Sequence, residues 1–370
     1  MTKDLVLALG TGSNRTTLGS ATVPGKLVAK GAAGADVVIV EATTIGGGVK
    51  ADLGAGENAL ALDETTVTGA LAYKGGAGGD AVSFTSVTVD GAAKIDLGAG
   101  ANAVLGGTAT FTGKLAVKAG AGSDAVVIGA LTAARAAGID TGAGDDFVTI
   151  AGAMVESGKI VGGAGIDTLM VTAVETTKAL ALDGGGDGNA AFATALTVGG
   201  GLICASGAGD DRIVVNTATV GAGLAVKTGA GTNDVTMQAL TAVGKLAYKG
   251  GAGADVLTLD AVTAGGAATA DLGDGANQLE IRNGSTLGPL GVRAKKGPDI
   301  LTLQGATVNG AAKLAAGAGA NAITVDAGTI TGSLAVTAGA GDDELRFLNA
   351  PVFGGEQKID LGGGANTVTP

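Results

Sequence analysis

The sequence contains no histidine, no tryptophan, a single cysteine and only two Tyr and six Phe in 370 residues. Without histidine it lacks the usual general base near neutral pH, the commonest metal ligand and the usual pH switch. Cys204 has no partner within the chain, so cysteine usage does not report a redox compartment. So few aromatics, beside 71 glycines, do not make an ordinary globular core. Prolines number only five while Val, Leu, Ile and Ala abound, which argues against a disordered linker. The formal charge of -11 argues against nucleic acid or an anionic membrane surface as partner. No apolar run approaches about 18 residues, so no membrane insertion is expected. The opening "MTKDLVLALGTGSN" carries a five-residue apolar run, too short for a signal h-region. The compartment expected is the cell surface or exterior, reached without a visible N-terminal signal, or else a cytoplasmic filament.

What the chain does have is repetition. The last polar residue of successive Gly-rich turns reads Asn14, Asp36, Asn58, Asp80, Asn102, Asp124, Asp146, Asp167, Asn189, Asp211, Asn233, Asp255, Asn277, Asp299, Asn321, Asp343 and Asn366. Every step is 22 residues except Asp146 to Asp167 (21) and Asp343 to Asn366 (23). Numbering each coil from that residue as zero, positions +2 and +4 are apolar, as in Val38 with Val40 and Leu60 with Leu62. Further apolar pairs stand at +7/+9 and at +13/+15, for example Leu71 with Tyr73. Alternation at period two means strand. One such coil cannot bury its apolar side, but stacked coils share an interior. The pattern predicts an all-β protein: one parallel β-solenoid (β-helix) over 1–370, about 17 coils of 22 residues with three short strands each, wound right-handed. Irregular coils are expected around 146–189, 282–299 and 344–366.

Equivalent positions of a solenoid lie above one another. Like charges about 4.8 Å apart cost roughly 1 to 3.5 kcal/mol at effective dielectrics of 80 to 20. The sequence alternates instead. Position zero alternates Asn and Asp over the first six coils, and position +16 runs Lys30, Asp52, Lys74, Asp96, Lys118, Asp140. Such a ladder specifies register, because a slip of one coil brings like charges together. The alternation fails at Asp124, Asp146 and Asp167, joined by Asp145. Carboxylates stacked this way need a raised pKa or a bound cation. With no histidine the ligands would all be oxygen, which suits Ca²⁺. The same residues also have a local purpose: Gly admits φ > 0 and Asp or Asn caps the turn.

The turn "GGAGID" (Gly162 to Asp167), followed by Thr168 and Leu169, resembles the Gly-Gly-x-Gly-x-Asp-x-apolar-x nonapeptide of the RTX, or haemolysin-type calcium-binding, family. Gly75 to Val82 and Gly250 to Leu257 do the same, and "AGAGSD", "TGAGDD", "SGAGDD" and "AGAGDD" are near matches. The resemblance covers the turns only, and these recur every 22 residues rather than every nine. It implies Ca²⁺ held between stacked turns, with Asp80, Asp124, Asp146, Asp167, Asp211, Asp255 and Asp343 as carboxylate ligands.

Position +8 is Thr in twelve of the sixteen coils between Asn14 and Asn366, flanked by apolar neighbours. An outward rank of Thr is what β propensity gives on an exposed sheet; a flat Thr rank also suits ice binding. Cys204 falls in the inward +15 file. Arg293, Lys295 and Lys296, with Arg282 nearby, form the only basic cluster and read as a solvated turn, a counter-ion for Asp299. No constellation for catalysis is present, so no enzyme is expected and no cofactor is required, with Ca²⁺ as the one candidate. The first strand enters in the third-strand register and the last residues stop after a first strand, with no helix at either end. The reading is a non-enzymatic rod assembling head-to-tail with itself into a filament, extracellular fibre, surface layer or adhesin stalk. The alternatives are an RTX-like secreted protein folding on Ca²⁺ and an ice-binding protein using the Thr ladder.

Overall fold

The structure, a computed structural model, describes residues 3–370. Among these every regular element is a strand, and the chain winds as a parallel β-solenoid of about 17 turns. Two compact units are present, Met1–Gly185 and Gly186–Pro370.

Each regular coil has the anatomy its periodicity dictates. In the coil that starts at Asn58 the strands are Ala59–Asp63, Thr66–Val67 and Leu71–Lys74. Burial alternates along them, because successive side chains of a strand face opposite sides. Neighbouring coils pair in parallel at the sequence period: Val38 with Leu60, Leu60 with Val82, Val82 with Val104, and Val104 with Val126. In the second unit Val235 pairs with Leu257, Leu257 with Leu279 and Leu279 with Leu301. The inward files are sealed. Leu60, Val82, Val104 and Val126 are at most 1% exposed, and each such side chain contributes about 1.5–3 kcal/mol by leaving water. Four of the eight aromatics sit in these files: Tyr73 and Tyr248 are buried, and Phe84 meets Phe111 edge-on at 5.8 Å. Cys204 is fully buried in its expected +15 place.

The irregular coils have local causes. The 21-residue step is a deletion at a corner, where register with the next coil shifts between Ala133 and Ala136. There the second and third strands fuse into Leu131–Ala143 and Met154–Ala164. The 23-residue step places an extra residue at Asn349 and Ala350, both with φ near +50°. An insertion at Asn283–Gly284 sets Thr286 rather than Ser285 in the Thr file, opposite Thr263 and Thr307.

Two turn types close the coils. In the Gly-rich turn, the residue two before position zero has φ above +100°, as at Gly56, Gly78 and Gly100. Glycine is the residue that reaches this region without a Cβ clash. The bend between the first and second strands lies at +6 and is also left-handed, yet it is commonly Ala: Ala42, Ala173, Ala239 and Ala261 have φ of 45–52°. Each costs about 1–2 kcal/mol of backbone strain.

Candidate functional site

The position-zero file is the polar spine of each unit. In the first unit its members from Asp36 to Asp167 are 0–3% exposed. The Oδ1 of each accepts the backbone N–H of the position-zero residue one coil earlier, at 2.8–3.2 Å, from Asn14→Asp36 through Asp146→Asp167. The second unit repeats this at 2.9–3.1 Å from Asn189→Asp211 to Asp343→Asn366, except at Asn233, whose side-chain Nδ2 reaches Asp255 Oδ1 instead at 2.7 Å. Burial would otherwise orphan these amides, because they fall where the turn hands over to the first strand.

The Asn/Asp alternation follows from donors as much as from charge. Asn102 Nδ2 donates to Asp124 Oδ1 at 2.8 Å and to its own turn at Gly100 O, also 2.8 Å. Asn233, Asn277 and Asn321 donate likewise to Asp255, Asp299 and Asp343 at 2.7–2.9 Å. A carboxylate cannot supply those protons. A third file is correlated with the first two. Five residues before position zero stand Gly31, Gly75 and Gly250 in three Asp coils and Leu53, Leu97 and Leu272 in three Asn coils, while Asp124, Asp146, Asp211, Asp299 and Asp343 have Ala119, Thr141, Ser206, Ala294 and Ala338 there. A Cβ at Gly75 would strike Asp80 Oδ2 and the Leu97 carbonyl. At Gly31, Gly75, Gly162 and Gly250 the inward Oδ2 of Asp36, Asp80, Asp167 and Asp255 occupies the space a Cβ would need, so "KGGAGAD" keeps its glycine where "DLGDGAN" carries Leu.

That inward Oδ2 has no hydrogen-bond partner in Asp36, Asp299 and Asp343. In Asp80 it accepts the Gly76 N–H at 3.1 Å. Burial raises the pKa of Asp80, Asp124, Asp146, Asp211, Asp255 and Asp299, and accepted hydrogen bonds partly oppose the rise. The charge of Asp146 raises Asp124 further, and that of Asp145 raises Asp146. Burial also raises the Tyr73 and Tyr248 hydroxyls and pushes the Cys204 thiol up to about 12.

The structure thus brings Asp124, Asp146 and Asp167 into one file, with Asp80, Asp211, Asp255 and Asp343 in equivalent places, all facing inward. Asp145 faces solvent, and its Oδ1 accepts the Ile166 N–H at 2.9 Å. Asp210 and Asp342 cap the next turn in the same way, at Thr232 and Ala365. A Ca²⁺ ion takes six to eight oxygens. Here Asp124, Asp146 and Asp167 each commit one oxygen to an amide of the preceding coil, and Asp145 lies on the other side of the backbone. Among the described residues no group of three or more His, Cys, Asp or Glu converges on one point. The carboxylates do not fit a calcium cage in this arrangement.

The +16 file is in the expected register: Lys30, Asp52, Lys74, Asp96, Lys118 and Asp140 are successive neighbours. Among the described residues none of these pairs closes to an ion pair within 4.0 Å. The file acts through the longer-range field, which is weak at exposed positions. After Asp140 it reads Val161 and Asp183.

Outward Thr files run unbroken from Thr22 to Thr132 in the first unit and from Thr197 to Thr329 in the second. The basic cluster is not one group. Arg282 bonds Asp260 at 3.0 Å and Glu280 at 2.8 Å, on the first-strand side, while Arg293 lies on a third strand. Asp299 is fully buried between Asn277 and Asn321 rather than matched by a cation. The Gly/Leu file and the left-handed alanines were missed by charge-based reading of the sequence; only the co-variation of Gly and Leu with Asp and Asn signals the former. Comparison of the chain with protein-family models, with curated proteins and with solved structures finds no match.

Proposed function

We propose that this protein is a non-catalytic structural solenoid whose coils assemble head-to-tail with further copies into a filament, fibre or surface layer outside the cell. The observation that carries the reading is where the chemistry goes. The carboxylates of the spine are sealed from solvent and committed to coil-to-coil hydrogen bonds, out of reach of any substrate. Coil recognition also uses one generic device, an amide and a side-chain oxygen at a fixed repeat, which a coil of a second copy can satisfy as well as a coil of the same chain. Phe353 pairs in register with the buried Ile330 and Ile359 with the buried Val336, with Ile359 itself 38% exposed. Negative-stain electron microscopy of purified protein tests this. Threads many times longer than one chain support it, and isolated short particles at every concentration refute it.

A second reading is favoured by the Thr files, whose members stand in register on an exposed sheet. In that reading they order water as an ice-binding face. Thermal hysteresis and faceted ice crystals support it; ordinary freezing with round crystals sinks it.

A further inference from the structure

The charge of -11 includes nine position-zero aspartates that are buried; without them the remaining charges sum to -2. That remainder is unevenly spread. In the second unit the basic groups on the first-strand side are all held by acids: Arg212 faces Asp234, Arg282 bonds Asp260 and Glu280, and Arg346 bonds Glu344. The third-strand face is different. Lys227, Lys249, Arg293 and Lys313 project from it, and Lys295 and Lys296 follow in the adjoining turn, all exposed. Among the described residues none of these six is in an ion pair. Asp271 and Asp274 are the acids on that stretch. The file also breaks the rule of alternation: Lys227 and Lys249 are direct neighbours, an unfavourable placement for like charges unless an anion lies across them. The outward positions beside the cations are small (Ala225, Ala247, Thr269 and Gly291), and a shallow groove of about 470 Å³ opens from Thr269 and Asp271 past Arg293 and Lys313 to Thr337, with Lys227 and Lys249 on the same face beyond its Thr269 end.

We infer that this face binds an extended anionic polysaccharide, a chain of uronate-type sugars lying along the stack. Carboxylates would meet Lys227, Lys249 and Arg293, and sugar hydroxyls would meet Asp271 and Thr269. The cations repeat at multiples of the strand spacing of about 4.8 Å, comparable to the advance of one sugar in an extended chain. Nucleic acid fits less well, because the face offers no aromatic side chain on which bases could stack. A lipid surface fits less well because the positions between the cations carry no large apolar group to insert. The inference does not depend on whether the protein forms filaments.

The test uses the full chain in low-salt buffer, where such contacts are least screened. Binding to polygalacturonate is measured by calorimetry, beside neutral dextran, duplex DNA and phosphatidylserine vesicles. The expected result is binding to polygalacturonate and not to dextran, weakened about a hundredfold in the triple variant Lys227→Gln/Lys249→Gln/Arg293→Gln, at roughly fivefold per cation removed. The Arg346→Gln variant should bind as the parent does. Should the triple variant not fold, acetylation of the parent with and without polygalacturonate serves instead, with protection expected at Lys227, Lys249 and Lys313. Absent binding, unchanged affinity in a folded triple variant, protection confined to other lysines, or tighter binding to DNA or vesicles would each overturn the inference.

Discussion

Replacing Asn102 by Ala would remove one rung of the spine, and its effect can be worked out group by group. The Asp80 N–H loses its acceptor, Asn102 Oδ1 at 2.9 Å. The Gly100 carbonyl and Asp124 Oδ1 lose a donor, each at 2.8 Å. An unsatisfied buried amide costs about 1–3 kcal/mol and each lost hydrogen bond about 1 kcal/mol, so Asn102→Ala should destabilise the surrounding coils by about 3–5 kcal/mol. Asn102→Asp is the informative partner. It keeps the acceptor, loses the donors, and places carboxylates next to Asp80 and Asp124. At neutral pH that adds about 1–3.5 kcal/mol per neighbour, a penalty that protonation removes. Repeat arrays unfold coil by coil as well as globally, so the assay is urea titration followed by limited proteolysis of the first unit as well as by circular dichroism. The expected outcome is that both variants are destabilised at neutral pH and that, compared with the parent at the same pH, only Asn102→Asp narrows its deficit on acidification. A shift below about 0.5 kcal/mol for Asn102→Ala, well under one hydrogen bond, would refute the reasoning, as would identical pH responses of the two variants.

Asp124→Asn should stabilise by about 1–2 kcal/mol, since the acceptor to Asn102 is retained and a buried charge is replaced by a group able to donate; a lower melting temperature than the parent would count against the donor account. Gly75→Ala should cost about 2–4 kcal/mol, because the added methyl meets Asp80 Oδ2 and the Leu97 carbonyl; a neutral result in a thermal melt would show that this file is not sterically closed. Stability should rise, not fall, as pH drops from neutral toward about 4. Asp80, Asp124, Asp146, Asp211, Asp255 and Asp299 have folded pKa values raised above the usual carboxylate range by burial. Their protonated forms favour the fold, and that contribution is complete below the unfolded value and lost as pH climbs through the raised ones. Asp260 and Glu156, lowered by hydrogen bonds to Asn283 and Lys178, run the other way but are few. Melting curves at neutral and mildly acidic pH decide it, and a falling melting temperature contradicts the assignment.

The winding itself is legible in the sequence because a solenoid repeats the same burial problem every coil. Val38, Leu60, Val82 and Val104 announce an inward file, and the structure pairs them. The irregular coils are legible as 21- and 23-residue steps, although the corner that absorbs each is not. The spine was only half legible. Charge explains why Asp80 should not stack on another Asp, but the sequence does not say which way a side chain turns, and so hides that Oδ1 bonds an amide one coil earlier. Asp145 and Asp146 look alike as neighbours in "TGAGDD", yet the turn between the two strands leaves Asp145 exposed and Asp146 buried. The left-handed bends at Ala42 and Ala261 were invisible, because Ala carries none of the signals of Gly or Asn. The basic face was masked by the net charge, which counts buried and exposed aspartates alike.

The central claim is that a side-chain oxygen of each coil closes the backbone of the coil before it. The amides of Asp80, Asn102, Asp124 and Asp146 have no acceptor other than the Oδ1 of Asn102, Asp124, Asp146 and Asp167. Residue-resolved hydrogen exchange by NMR reads these four directly. Protection as strong as that of the neighbouring strand amides is the predicted result; exchange at the rate of open turn amides would contradict it.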